Sequence, residues 1–413
     1  MSDLADLARV SAGIGPDALS ELRARAAEQF ARDDFPTTRA EDWKYTDLKL
    51  ARSVTLDALK SADIEEVANI ELPDIDAYWF VISNGRPVIP ANSAAGGAGI
   101  SLLSEANLDL RYDLPLSDLN LALLSDGLHI RVPANVTVDK PIGLLFADSS
   151  SERPLAVQGR VIVDVEHHGS VELIEIHTSG GEGTVFANNL LELNIADAAR
   201  AAHVRLQTRD RAHAHTARLQ VSCGKDAQFR HFALDSGSQL ARNDLTVDLA
   251  HTGADVEFNG LFLVDDGQHV DNHTSVDHRV GPATSRQEYR GIIRGRAVWN
   301  GKAIVHEGAD GTDATQANHN LLLASGADVN AKPELEIYAE DVKCAHGTTV
   351  GQLDDNAVFY LRSRGLDTEQ ARQLMTQAFA AAVASSNPVE ASRSLVDEAI
   401  NRSLDALLRR GDN

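Results

Sequence analysis

From about Leu128 onward the chain alternates apolar and polar residues in one short run after another. Val161, Val163 and Val165 skip one residue each, as do Leu191, Leu193 and Ile195, then Val204 and Leu206, Leu219 and Val221, and Leu245, Val247 and Leu249. A period of two sends successive side chains to opposite faces of an extended strand, so each run buries one face and wets the other. Turn residues stand between the runs, as at His168-Gly169-Ser170, Ser179-Gly180-Gly181, Cys223-Gly224-Lys225-Asp226 and Thr252-Gly253-Ala254-Asp255. The runs recur roughly every 10–16 residues over about 200 residues, with no helical stretch between them. Two architectures satisfy this pattern, a β-sandwich or barrel and a parallel β-helix; the length and monotony favour the solenoid.

The flanks read differently. Asp17 to Asp33 carries Leu19, Leu22, Ala26 and Phe30 three or four residues apart behind Pro16, the spacing of an amphipathic helix. Tyr78 to Ile82 is a strand turned at Asn84-Gly85, and Leu116 to Leu124 a short helix. Beyond the β region, Asp354 opens a helix stopped by Gly365. Asp367 with Gln370 forms a capping box ahead of Leu374, Met375, Ala378, Phe379, Ala382 and Val383. Asn387-Pro388 starts the last helix, striped by Val396, Ile400, Leu404, Leu407 and Leu408. The expected organisation is a mostly helical region with a small strand-turn segment over 1–125, a β core over 126–345 and a helical region over 346–413. Because a solenoid leaves its ends unsatisfied, the N-terminal helices are expected to cover one end and the C-terminal helices the other.

Composition narrows the function classes. At 413 residues the chain can bury a large core, and its formal net charge of −23 argues against nucleic acid or an anionic membrane as partner. No apolar run reaches membrane-spanning length, and the N-terminus lacks a basic start and apolar core. The two cysteines, Cys223 and Cys344, are too few for a disulfide framework, so a reducing cytoplasm is the expected location. Phosphate-binding loops and nucleophile elbows have no counterpart here, and no acid–base pair stands out, so no catalytic residue is assigned.

The segment Lys332 to Gly365, KPELEIYAEDVKCAHGTTVGQLDDNAVFYLRSRG, places Cys344 and His346 two residues apart. In an extended strand both would face the same side and could serve one metal ion, although two ligands do not close a site. This segment resembles the C-terminal signature of the SufB/SufD family, in its SufD branch. Glu41-Asp42-Trp43-Lys44-Tyr45-Thr46 and the stretch His269–Val298 resemble two further hallmarks of the same family. The resemblance implies a right-handed parallel β-helix between helical regions, acting as a non-enzymatic scaffold in iron–sulfur cluster assembly. It implies pairing with a SufB-type subunit, docking of a SufC-type ATPase on the C-terminal helices, and a homodimer as a possible state of the isolated chain. His346 matches the histidine implicated at the cluster-forming interface and Cys344 the neighbouring cysteine. The cluster would be held transiently between subunits, and this chain alone would bind no nucleotide. A stand-alone β-helix enzyme acting on polysaccharide is the alternative.

The other histidines are weighed separately. His213 and His215 alternate, and His269, His273 and His278 lie close together; imidazoles so spaced can bind zinc or iron. The blander expectation, polar filler or an asparagine–histidine ladder on the solenoid, is preferred for both groups. Cys223, following Val221 on a core strand, is expected to be a small buried hydrophobe.

Overall fold

The computed structural model describes residues 6–59, 70–89, 95–106, 115–150 and 153–409. Its strands fall alternately into two sheets. The first wall has ten, starting with the hairpin of Tyr78–Ser83 and Arg86–Val88 and ending with Thr284–Ile293, Asp313–Leu322 and Lys343–Gly351. The second has nine, from Gly99–Leu102 and Leu128–Val132 to His269–His278, Arg296–Val305 and Asp328–Ile337. From Leu128–Val132 to Asp313–Leu322 each strand pairs in parallel with the strand two after it; Asp255 pairs with Thr284, which pairs with Asp313. The two walls are therefore opposite sides of one parallel β-solenoid of about 8 turns, flanked by helices at both termini. Among the described residues, antiparallel pairing between strands is confined to the first turn, where Arg86–Val88 and Gly99–Leu102 close the edges.

The regular turns explain why the chain coils evenly. His168, Ala198, Asp226 and Gly253 each adopt a positive φ at the same corner of successive turns. Their backbone amides stack, His168 onto the Asp197 carbonyl at 3.1 Å and Ala198 onto that of Lys225 at 2.7 Å. This satisfies corner groups that a solenoid would otherwise leave unpaired.

Period-two alternation fills the lumen. Phe80, Phe146, Phe229, Phe258, Phe262 and Trp299 are all buried between the walls. Gly260 lies beneath the Tyr289 ring, where an added Cβ would come within 2.3 Å of Cε1, so only glycine lets the two rungs stack there.

The helices do not sit where a capping role would put them. Phe30, Ala51, Val54 and Leu119 of the N-terminal region pack on Ile162, Phe186, Ala214 and Leu240, the outer face of the second wall. Val383, Val396, Ile400, Leu404 and Leu407 of the C-terminal region share a core with Ile174, Val204, Phe232, Leu261 and Ile292, the outer face of the first wall. Both groups flank the solenoid because the outward faces of its middle strands are themselves apolar. Among the described residues, the closing antiparallel strands and the buried Ala95, Ala98 and Val138 cover the first turn, and nothing covers the last. The capping box of Asp367 and Gln370 forms as the sequence suggests. The helix it starts, Thr368–Ala384, is rotated from the expected stripe, burying Ala371, Thr376, Ala380 and Val383 and leaving Leu374, Ala378 and Ala382 exposed.

Candidate functional site at the open last turn

Lys343–Gly351 and Asp328–Ile337 form the last turn, and each has a neighbour on one side only. Register decides which way the side chains of Lys343–Gly351 point. Cys344, His346, Thr348 and Val350 follow Ala314, Gln316, Asn318 and Asn320, which are buried in the lumen. His346 and Cys344 therefore share the lumenal face, as the spacing suggests. With no further turn above them, His346 is exposed and Cys344 half-buried. Ile337, Tyr338 and Val350 leave apolar surface in water around the same mouth. Two unpaired edges with exposed apolar residues are a template for another β structure.

The two side chains differ chemically. Partial burial, reinforced by Asp313, pushes the Cys344 thiol above its usual range against an opposing hydrogen bond from the Ala314 backbone. A protonated thiol is a poor iron ligand, whereas imidazole offers a lone pair. Among the described residues His346 makes no side-chain hydrogen bond or ion pair, and no group of three or more His, Cys, Asp or Glu is arranged to hold a metal ion. Among the described residues, none stands ready to complete a metal centre at His346.

Beneath the mouth lies a layer of amides. Thr274 Oγ1 donates to Gln287 Oε1 at 2.6 Å. In the amide orientation that satisfies both of its ends, Gln316 accepts from Gln287 Nε2 at 2.9 Å and from the Ala303 backbone, and donates to the Gly301 carbonyl, tying the walls together. Asn318 donates to the Tyr289 carbonyl at 3.2 Å and accepts from Asn320 at 2.5 Å and from Thr348 Oγ1 at 3.2 Å.

Deeper in the lumen is a chamber that sequence patterning does not disclose. Glu175, His177, His203, Arg205, His215, His231 and Asp235 point inward from neighbouring turns, joined by Asp148 and Arg209, and all are buried. Arg209 pairs with Asp148, and its Nη2 lies 3.3 Å from His177 Nδ1. A guanidinium only donates, so His177 Nδ1 accepts and Nε2 carries the proton, which it donates to Glu175 Oε1 at 2.5 Å. The other Glu175 oxygen is 2.9 Å from His203 Nε2, and His203 Nδ1 is 3.1 Å from His231 Nδ1. Arg209 Nε likewise donates to His215 Nδ1 at 3.3 Å. Burial pushes His177 down to about 4 despite Glu175, and carries His215 and His231 well below the usual imidazole range. Burial works against the Glu175 carboxylate, but His177 and His203 hold it well below its ordinary value. His177, His215 and His231 are therefore neutral structural histidines, and the tautomer of His177 leaves it no free lone pair for a metal.

The remaining candidates separate. His213 is buried and its Nδ1 accepts the Val185 amide at 2.9 Å, while His215 belongs to the chamber, so neither lies on a wet face. His269 and His273 lie on the outer face of the second wall, bound to Thr46 at 2.8 Å and Asp271 at 3.0 Å. His278 points into the lumen against Ser285 Oγ at 2.8 Å. The three do not converge. Thr46 belongs to the polar aromatic segment near the N-terminus, and Trp43 of that segment covers the Arg242 guanidinium at 4.3 Å. Arg242 in turn binds Asp271 at 2.5 Å and the Asp42 carbonyl at 2.9 Å, so the segment is strapped to the second wall. Cys223 is buried, and burial pushes its thiol up to about 12, which removes it from chemistry.

Known proteins resemble this chain along most of its length. Residues 146–379 match the family model described as SUF system FeS cluster assembly, SufBD core domain, and residues 11–95 that of the SufBD protein N-terminal region. A Synechocystis protein named as an iron–sulfur cluster assembly SufBD family protein is 30% identical over 399 residues, covering 90% of this chain and 88% of its own. The iron–sulfur cluster assembly protein SufD of Escherichia coli is 31% identical over 367 residues, 86% of each chain. That of Bacillus subtilis is 26% identical over 419 residues, 94% of each chain.

Proposed function

This chain belongs to the SufBD family of iron–sulfur cluster assembly proteins, and from that premise we propose that it is a scaffold subunit that performs no catalysis by itself. Its open last turn pairs with a SufB-type β-helix subunit, and His346 supplies an interface ligand for the nascent cluster, which is cargo rather than a resident group. The observation that carries this reading is the asymmetry of the ends: antiparallel strands close the first turn, while the last presents two bare edges with His346 and Cys344 on the lumenal face. An edge left so exposed is an aggregation hazard unless a partner takes it. Family membership supports the assembly role over a stand-alone β-helix enzyme acting on polysaccharide.

The C-terminal helices serve as the dock for a SufC-type ATPase. Asp355–Ser363 has no buried residue, and Phe359 and Tyr360 are 70% and 57% exposed, as is Leu374 on the following helix in lesser degree. Deleting everything from Asp367 would be a poor test, because the same helices cover the first wall. Phe359→Asp leaves that packing intact.

The decisive experiment is His346→Ala in cells that depend on this system. Subunit pairing should persist, since an exposed side chain contributes little packing, while cluster maturation fails; Cys344→Ala should do less harm. His251→Ala, on an exposed turn, is the control. Full maturation by His346→Ala in an assembled complex would remove the chemical role and leave the segment a structural joint.

A further inference from the structure

Resting on the reading of His346 given above, we infer that Thr348, held by Asn318, is a positioning residue for that imidazole. A strand paired on one side only can roll about its long axis or fray, and either motion would turn the even-numbered side chains of Lys343–Gly351 away from the lumen. Backbone pairing to Asp313–Leu322 does not oppose that roll on the free side. A side-chain bond on the lumenal face does.

Of the four lumenal side chains on this strand, Cys344, His346, Thr348 and Val350, Thr348 is the one that hydrogen-bonds to a side chain of the turn below, while the Cys344 thiol meets the Ala314 backbone. Its acceptor is unusually well fixed. Asn318 is fully buried, its Nδ2 is committed to the Tyr289 carbonyl, and its Oδ1 already accepts from Asn320. Asn320 Nδ2 also reaches the Thr349 carbonyl at 3.4 Å, and on the outer face His319 Nδ1 lies 2.8 Å from Thr349 Oγ1. The strand is thus clamped on both faces at residues 348 and 349. His346 is one pleat away and has no bond of its own, so its direction is inherited from that clamp. The amide layer has a purpose on this view: aromatic rings would fill the lumen as well, but they could not hold a hydroxyl at the mouth.

The test uses Thr348→Val, which keeps shape and strand propensity and removes only the hydroxyl, with Thr348→Ser as the conservative variant. The full assembled complex is purified for each, and the rate of cluster formation is followed by visible absorbance. Thr348→Val should slow formation by about three- to tenfold, the size set by one hydrogen bond, with subunit pairing and melting temperature held. Thr348→Ser should restore it. In the background of His346→Ala, Thr348→Val should cost nothing further, because it acts through that imidazole. A wild-type rate in Thr348→Val, while His346→Ala is defective, overturns the positioning role and leaves the function of His346 standing. Additive losses in the double variant overturn it too. A wild-type rate in His346→Ala removes the function itself.

Discussion

The lumen of this solenoid holds histidines in two settings, and their contrast says what burial does to an imidazole. In the chamber, His177, His203, His215 and His231 are sealed among Glu175, Arg205, Arg209, Asp148 and Asp235. Every turn there has another above and below it, so the hydrogen bonds that hold these side chains come from within the protein. At the mouth, His346 occupies the same lumenal column as His203 and His231, by way of Phe258, Gln287 and Gln316. It differs only in having no turn beyond it. One column therefore yields structural histidines in the middle and an available ligand at the end, and the aromatic and amide layers between them keep the two apart.

The largest effect should come from breaking the chamber. Arg209→Ala removes the partner of Asp148 and the donor to His177 and His215 in a fully enclosed site. Denaturant unfolding should show a loss of about 3–5 kcal/mol, typical of a buried charge left uncompensated. A loss below 1 kcal/mol would mean that water enters the lumen and the chamber is not sealed.

Acid should open the same difference without mutation. The folded value of His177 lies near 4, below that of a free imidazole, so the unfolded chain binds more protons between about pH 6.5 and 4. Stability from this group is therefore complete above about pH 6.5 and lost as pH falls toward 4. One such histidine accounts for about 2 kcal/mol between pH 7 and 5, and His215 and His231 shift in the same direction. Glu175 adds to the loss at lower pH, because its carboxylate is held low in the folded state and must be protonated. Urea midpoints at pH 7 and 5 measure this. Equal midpoints at the two pH values would mean that the chamber histidines are not held neutral by burial.

On the helical flank, Phe359→Asp should weaken ATPase docking about tenfold in a binding titration while the melting temperature holds, as expected for an exposed apolar anchor. Equal binding by both proteins would move the dock elsewhere. The smallest effect belongs to the mouth: His346→Ala should change the unfolding free energy by no more than about 0.5 kcal/mol, as for other exposed positions. A larger loss would show that the mouth is part of the packed core.

Much of this was legible before any fold was known. Alternation at Val161/Val163/Val165 and its successors dictated strands, and the absence of helices between them favoured a coil over a sandwich. The Asp367–Gln370 capping box and the Asp354 N-cap formed where the residues called for them, because caps are local hydrogen bonds within a few residues. The shared face of Cys344 and His346 followed from strand periodicity alone.

Tertiary structure decided what lies next to what. Glu175-Ile176-His177 reads like any strand with a wet face, since period two separates two faces without saying which one meets solvent. Stacking of turns put Glu175 and His177 inside and Ile174 and Ile176 outside, under the C-terminal helices. For the same reason the helices flank the walls instead of capping the ends, and Leu374 faces water although its spacing suggested a core. Asn318 and Thr348 carry no signal in sequence, because their bond joins residues 30 apart that meet only when one turn is laid on another. Local periodicity is set by the chain's own geometry, whereas burial and pairing across turns are properties of the stack.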